Sequence, residues 1–211
     1  GLVVSLAVVA VAFVLDRVSM ALISQPGSST VKTSRKVIIG SVAALVPNTD
    51  IMLDTSTSAN GRSGGAIRLD VVGIPSAWPR SLSMTTSGPI TSSAGEIYLA
   101  GSIFLDGGDL LLSNYTTVNL EGTIAIDTAQ TATVAGNVLL GDTSSSNATA
   151  RIRSMATGVN LTISVSAASM PGMIALGAVE AGGLLRPQSL VMDANGVVVG
   201  TIALNGDLAT S

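Results

Sequence analysis

The sequence has no cysteine and no histidine. It therefore holds no thiol nucleophile, no disulfide, no Cys/His zinc site and no imidazole acid–base relay. Zero cysteine leaves the redox compartment open. Aromatic residues are 2% of the chain, so its core must be built from Val, Ile, Leu and Ala. Charged residues are 11%, against about 25% in an ordinary soluble domain. The net charge of −3 argues against a nucleic-acid groove, which wants Lys and Arg in clusters. What is abundant is apolar: 47% of 211 residues, enough for one medium domain and an appendage. The balance points to a structural protein and not a catalyst, with no cofactor, no metal and no small-molecule substrate.

The appendage is at the beginning. Gly1 to Ser24 reads GLVVSLAVVAVAFVLDRVSMALIS, and Ser5 is the only polar side chain before Asp16. Asp16 and Arg17 interrupt, Val18, Met20, Leu22 and Ile23 continue, and Pro26-Gly27 ends the pattern. A transmembrane span needs about 20 apolar residues. A signal-peptide core has this length but follows an initiator Met and a basic region. A buried helix of a globular domain is the plain alternative. The preferred reading is a hydrophobic helix or donor strand kept in the mature protein and buried against copies of itself. Its assembly residues would be Leu2, Val3, Val4, Leu6, Val8, Val9, Val11, Phe13, Val14, Leu15, Val18, Met20, Leu22 and Ile23.

Residues 1–24 resemble the mature start of type IV pilin-like proteins of the minor, PilX-like kind, in the run Gly-Leu-Val-Val-Ser-Leu. Ser5 stands where most major pilins carry Glu. The resemblance implies export through the cytoplasmic membrane and a homopolymer built on the N-terminal segment.

Residues 1–25 are thus expected to be the assembly or anchor segment and residues 26–48 a hinge and connector. Gln25 to Thr33 is rich in Pro, Gly, Ser and Thr, and Lys32, Arg35 and Lys36 form a small basic cluster. Residues 1–49 hold four basic residues and one acid, net +3, and residues 50–211 hold six basic and twelve acidic, net −6. Such a basic cluster can hold a precursor at an anionic membrane surface; a solvated linker explains it equally well.

From residue 49 onward short apolar runs are broken by Gly, Asn, Asp and Ser. Period-two alternation at Ile97-Leu99, Val118-Leu120, Ile124-Ile126, Leu161-Ile163-Val165 and Ile202-Leu204 predicts strands. A motif of β-branched residue, any, Leu, any, Gly recurs as IYLAG (97–101), IFLDG (103–107), VNLEG (118–122) and IALNG (202–206). Ile-x-Leu-Asp recurs at 51–54, 67–70 and 103–106. Leu99, Leu120, Leu140 and Leu161 follow one another at nearly equal steps. Their period, about 20 residues, predicts a solenoid whose coils bury their faces on one another. The expected body, residues 49–211, is an all-β right-handed parallel β-helix or β-solenoid. A β-sandwich is the alternative.

The stretches TDIMLDTSTSANGRSGGAIRLDV and TTSGPITSSAGEIYLAGSIFLDGGDLLLSN resemble the repeats of filamentous-haemagglutinin-type surface proteins. That resemblance implies the right-handed β-helix and a role in adhesion or cell-surface architecture.

Chemistry-bearing spacings are few. Ser29 precedes Lys32 in a Ser-x-x-Lys spacing best explained by chance in a linker. Asp106 and Asp109 flank Gly107-Gly108, a pattern that can bind calcium but more often makes a turn. The glycines at 61–65 and 182–183 lack the Lys-Ser/Thr of a phosphate loop. Asn114, Asn147 and Asn160 begin glycosylation sequons. Trp78, bracketed by prolines, is either a contact between subunits or a cap on the core. The function expected is a non-enzymatic subunit of an extracellular, pilus-like filament, exported or at the cell surface. The alternative is a cell-surface adhesin module with an N-terminal membrane anchor. The partners expected are copies of the chain itself and, during export, a membrane.

Overall fold

The computed structural model describes residues 23–25, 28–32, 37–39, 49–58, 64–73, 78–88, 94–140, 151–179 and 186–204. All of their regular structure is β, in three sheets, and there is no helix among them. The assembly segment expected over 1–25 lies outside the described residues except for its last three.

The long sheet has eight strands: β1 (Ile23–Gln25), β2 (Ser28–Lys32), β4 (Asp50–Asp54), β6 (Ser81–Thr85), β9 (Leu110–Ser113), β12 (Val138–Leu140), β15 (Met173–Leu176) and β18 (Thr201–Leu204), in that order. The middle sheet runs β3 (Val37–Ile39), β5 (Ile67–Leu69), β7 (Ile97–Leu99), β10 (Thr117–Leu120), β13 (Arg151–Ser154), β16 (Ala178–Val179). The short sheet runs β8 (Ile103–Phe104), β11 (Ile124–Asp127), β14 (Asn160–Ser164), β17 (Ser189–Asp193), and a parallel bridge from Val72 to Ile103 extends it by one rung. From β6 onward the chain visits the long, middle and short sheets in turn and then repeats. Every strand pairs in parallel with its neighbours except β1, which is antiparallel to β2. A sandwich of short strands is built from antiparallel sheets, so these sheets are consistent with a β-solenoid instead.

Buried positions alternate with more exposed ones along β4, β5, β6, β7, β9, β11, β12 and β14. Ile97 and Leu99 face inward with Tyr98 outward, and Val118 and Leu120 stack directly on Ile97 and Leu99. Ile67, Ile97, Val118, Ile152 and Val179 make one buried ladder through the middle sheet. The buried interior is aliphatic apart from Met84 and Tyr115, in keeping with the scarcity of aromatic residues. Strand pairing also reaches into the stretch read as a hinge: β2 pairs with β4, and β3 with β5.

The period of the leucines is not the coil. Ladder partners in the middle sheet step unevenly along the chain, from Ile67 to Ile97, then to Val118, Ile152 and Val179. Those of the long sheet step more evenly but more widely, from Ile51 to Leu82, Leu110, Val138, Ile174 and Ile202. Only Leu99 and Leu120 of the leucine series are true partners; Leu140 lies on the long sheet and Leu161 on the short one. All three sheets carry the same aliphatic alternation. Strands about two-thirds of a coil apart therefore mimic a repeat. The Ile-x-Leu-Asp motif shows the same thing, falling once on each sheet.

Corners are held by glycine and short polar side chains. Gly108, Gly136, Gly172 and Gly200 precede β9, β12, β15 and β18 on successive rungs. A Cβ on Gly136 would sit 1.9 Å from the Gly108 carbonyl oxygen, and one on Gly172 would sit 2.1 Å from that of Gly136. The buried hydroxyl of Thr128 donates to the carbonyl of Gly136 in this corner at 2.8 Å, and that of Thr86 donates to the carbonyl of Gly95 at 3.1 Å. Each such bond satisfies a polar group that burial would otherwise strand.

Candidate assembly surface and polar face

The end of the stack at β17 and β18 differs from the rest. Ile174 and Leu176 on β15 are 0% exposed, whereas their ladder partners on β18, Ile202 and Leu204, are 43% and 47% exposed. These are the same inward positions, one rung apart. Val197, Val198 and Val199, just before β18, are exposed as well. Among the described strands, β18 pairs only with β15 and β17 only with β14, so each leaves one edge of backbone N–H and C=O groups open. This surface combines an open sheet edge with uncovered aliphatic side chains.

At the other extreme of the long sheet lies β1, the last residues of the apolar segment. Of the expected assembly residues, Ile23 lies in β1, and all the others lie outside the described residues.

The second surface is the outward face of the middle sheet. Arg68, Tyr98, Asn119 and Arg153 are direct ladder partners across β5, β7, β10 and β13. The Arg68 guanidinium donates to both oxygens of Glu121, at 3.2 and 2.9 Å from Nε, with its terminal nitrogen at 2.6 Å. Arg153 Nε donates to Asn119 Oδ1 at 2.6 Å, and its terminal nitrogen lies 3.5 Å from Glu96. The Tyr98 hydroxyl donates to Glu96. That hydrogen bond, followed by burial and the Glu96 charge, raises the Tyr98 pKa above the ordinary phenol value. Asn119 is fully buried beneath this network, and its Nδ2 has no hydrogen-bond partner among the described residues. The charges cancel in pairs, so the face is a polar brace across four rungs. Sequence reasoning missed it because its members follow the uneven steps of the ladder, which no fixed period can align.

A third polar group lies on the long sheet. Arg80 pairs with Asp50, its Nε donating at 2.8 Å, and the Ser81 hydroxyl donates to the same carboxylate at 2.5 Å. The Arg80 hydrogen bond is the main cause of a lowered Asp50 pKa; burial opposes it, and Ser81 and the Arg80 charge add to it. For Asp54 burial pushes upward, but bonds from Ser56 and Lys32 outweigh it and hold the group below the usual carboxylate range.

The other sequence candidates fall into structural places. The Asp106 carboxylate accepts backbone N–H bonds from Thr131 and Ala132 at 2.7 and 2.8 Å, and Asp109 accepts one from Asn137 at 2.7 Å. Both carboxylates therefore clip loops of the next rung. Among the described residues no three acidic groups gather as a metal site. Lys32, the cation of the Ser-x-x-Lys spacing, lies with its Nζ 3.1 Å from Asp54 in a surface ion pair. Asn114 is exposed, with a φ of 53°. Asn160 accepts a hydrogen bond from Ser189 at 2.7 Å on the short sheet, and Asn147 lies outside the described residues. Trp78 packs over Gly73, whose φ is +79°; a Cβ there would meet the Phe104 carbonyl oxygen at 2.4 Å and the Trp78 ring at 3.1 Å. The Trp78 ring thus lies against Gly73, with part of its surface still exposed.

Compared with protein-family models, curated proteins and solved structures, the chain matches none.

Proposed function

We infer that this chain is a non-enzymatic structural subunit of an extracellular, pilus-like filament. In this reading the body is a right-handed parallel β-solenoid, and the apolar N-terminal segment is buried in a neighbouring subunit. The observation that carries it is the uncovered end at β18, where Ile202 and Leu204 stand open at positions sealed one rung earlier. An apolar segment before β1 and an open apolar rung at β18, at opposite edges of one sheet, are complementary between copies. Head-to-tail contact of that kind is heterologous, and it propagates as a fibre wherever its rotation does not close a ring.

Electron microscopy of the purified full chain tests this, with a variant lacking residues 1–22 beside it. Fibres from the full chain and single particles from the variant are expected. Fibres from both would end the assembly mechanism.

The adhesin reading draws support from the outward polar face of the middle sheet, which presents Arg68, Tyr98 and Arg153 in one line. It predicts that removing residues 1–22 frees the protein from membranes and changes no polymer.

A further inference from the structure

We propose that the free edge of β18 is the acceptor for the N-terminal segment of a second copy, which adds there as a strand and covers Ile202 and Leu204. This rests on the filament reading and gives it a docking site.

An incomplete core defines the acceptor. Leu176 is sealed by the rung above it, and Leu204 has the same orientation without such a rung among the described residues. What would complete it is one strand with apolar inward residues, hydrogen-bonded to β18 in the plane of the long sheet.

Two stretches of the sequence outside the described residues are candidates. Residues 205–211 read NGDLATS, and Asn-Gly is a strong two-residue hairpin signal. A two-residue turn would set Asp207 opposite Leu204 and Ala209 opposite Ile202. That register lays a carboxylate on an apolar site, which is a poor cover. Residues 2–15 read LVVSLAVVAVAFVL, apolar in both alternation phases apart from Ser5. Such a pattern belongs to a strand buried on both faces. Its Val-rich composition also suits a pleated strand.

Geometry favours a donor from another copy, because the chain's own segment would first have to cross the sheet. This segment joins the fold at β1, and β1 and β18 are opposite edges of the same eight-stranded sheet. They are separated by seven strand spacings, roughly 34 Å at about 4.8 Å each, which would use up about ten extended residues of the same chain. In a head-to-tail pair, the β1 edge of one copy faces the β18 edge of the next, and the segment begins where the acceptor lies.

The test uses the full chain, which has no native cysteine. Ala203→Cys is made in one preparation, and single Cys substitutions at each of positions 7 to 12 in others. Preparations are mixed, assembled and oxidised. Disulfide-linked pairs are expected at alternate positions along 7–12, because only one face of an added strand meets a given partner. Ile202→Asp and Leu204→Asp should raise the concentration needed for assembly by roughly tenfold or more. Both residues are half exposed, so circular dichroism should show an unchanged subunit. Fibres that form without any mixed disulfide, and that tolerate both Asp variants, would overturn the acceptor and leave the filament reading standing. Disulfides formed only within one chain, in an Ala7→Cys/Ala203→Cys double variant, would also overturn it. No fibres from the unaltered chain at any concentration would remove both proposals together.

Discussion

Leu176 and Leu204 occupy the same inward position on adjacent rungs of one sheet, and only Leu176 is sealed from solvent. Burial therefore depends here on having a rung on either side. Truncating the two side chains should give very different results. Leu176→Ala leaves a cavity in a closed core and is expected to cost about 2–5 kcal/mol. Leu204→Ala removes a side chain already half in water, and its effect should stay within about 0.5 kcal/mol, as for ordinary surface changes. Urea unfolding of the unassembled subunit measures both. Equal losses would mean that another part of the chain covers Leu204 in solution.

The glycine corner makes a prediction of opposite sign to helix propensity. Gly136→Ala places a methyl group 1.9 Å from the Gly108 carbonyl oxygen, a contact that only a backbone shift can relieve. The stack should lose on the order of 3 kcal/mol. Gly122→Ala is the control, because the nearest atom to its added Cβ is 3.9 Å away. That variant should be close to neutral in the same thermal or urea experiment. A neutral Gly136→Ala would show that the rungs at this corner can part far enough to admit a methyl group.

The strands were legible in the sequence and the coil was not. Alternation at Ile97-Leu99 or Leu161-Ile163 is a local signal, and one face of a strand is enough to set it. The length of a coil depends on its corner loops, which are short between Ile97 and Val118 and much longer between Val118 and Ile152. No local rule fixes those loops, so the ladder partners were hidden. The polar brace was hidden with them: Arg68 meets Glu121 from more than one coil away, and neither residue carries a sign of the other in its own neighbourhood. The open end was half legible. Ile202 and Leu204 read as a strand, but their exposure follows from the stacking order, which alternation does not reveal.

Tyr98 reports on the brace. Its hydroxyl bonds to Glu96, and that bond raises its pKa above about 10, the ordinary phenol value. Absorbance titration in a Tyr115→Phe background isolates this one phenol, since the chain has two tyrosines. Glu96→Gln removes the charged acceptor and should bring the Tyr98 titration down toward the ordinary value. An unmoved titration would show that burial, the second cause, is what raises it.

Acid should loosen the long sheet near its Asp50 end. Asp50 and Asp54 both have folded-state pKa values below the usual carboxylate range. A depressed folded pKa means that the unfolded chain takes up protons first, at about pH 4. The stability these groups contribute is complete above that pH and is lost as pH falls through their folded values. Unfolding free energy should therefore be flat from neutral pH to about 5 and decline below about 4. Asp50→Asn keeps the shape and removes the titration, so its curve should lie lower at neutral pH and converge with the parent in acid. The Arg80 partner is on the surface, so added salt should shrink the difference between the two curves. Parallel curves at every pH would mean that Asp50 contributes through its packing and not through its charge.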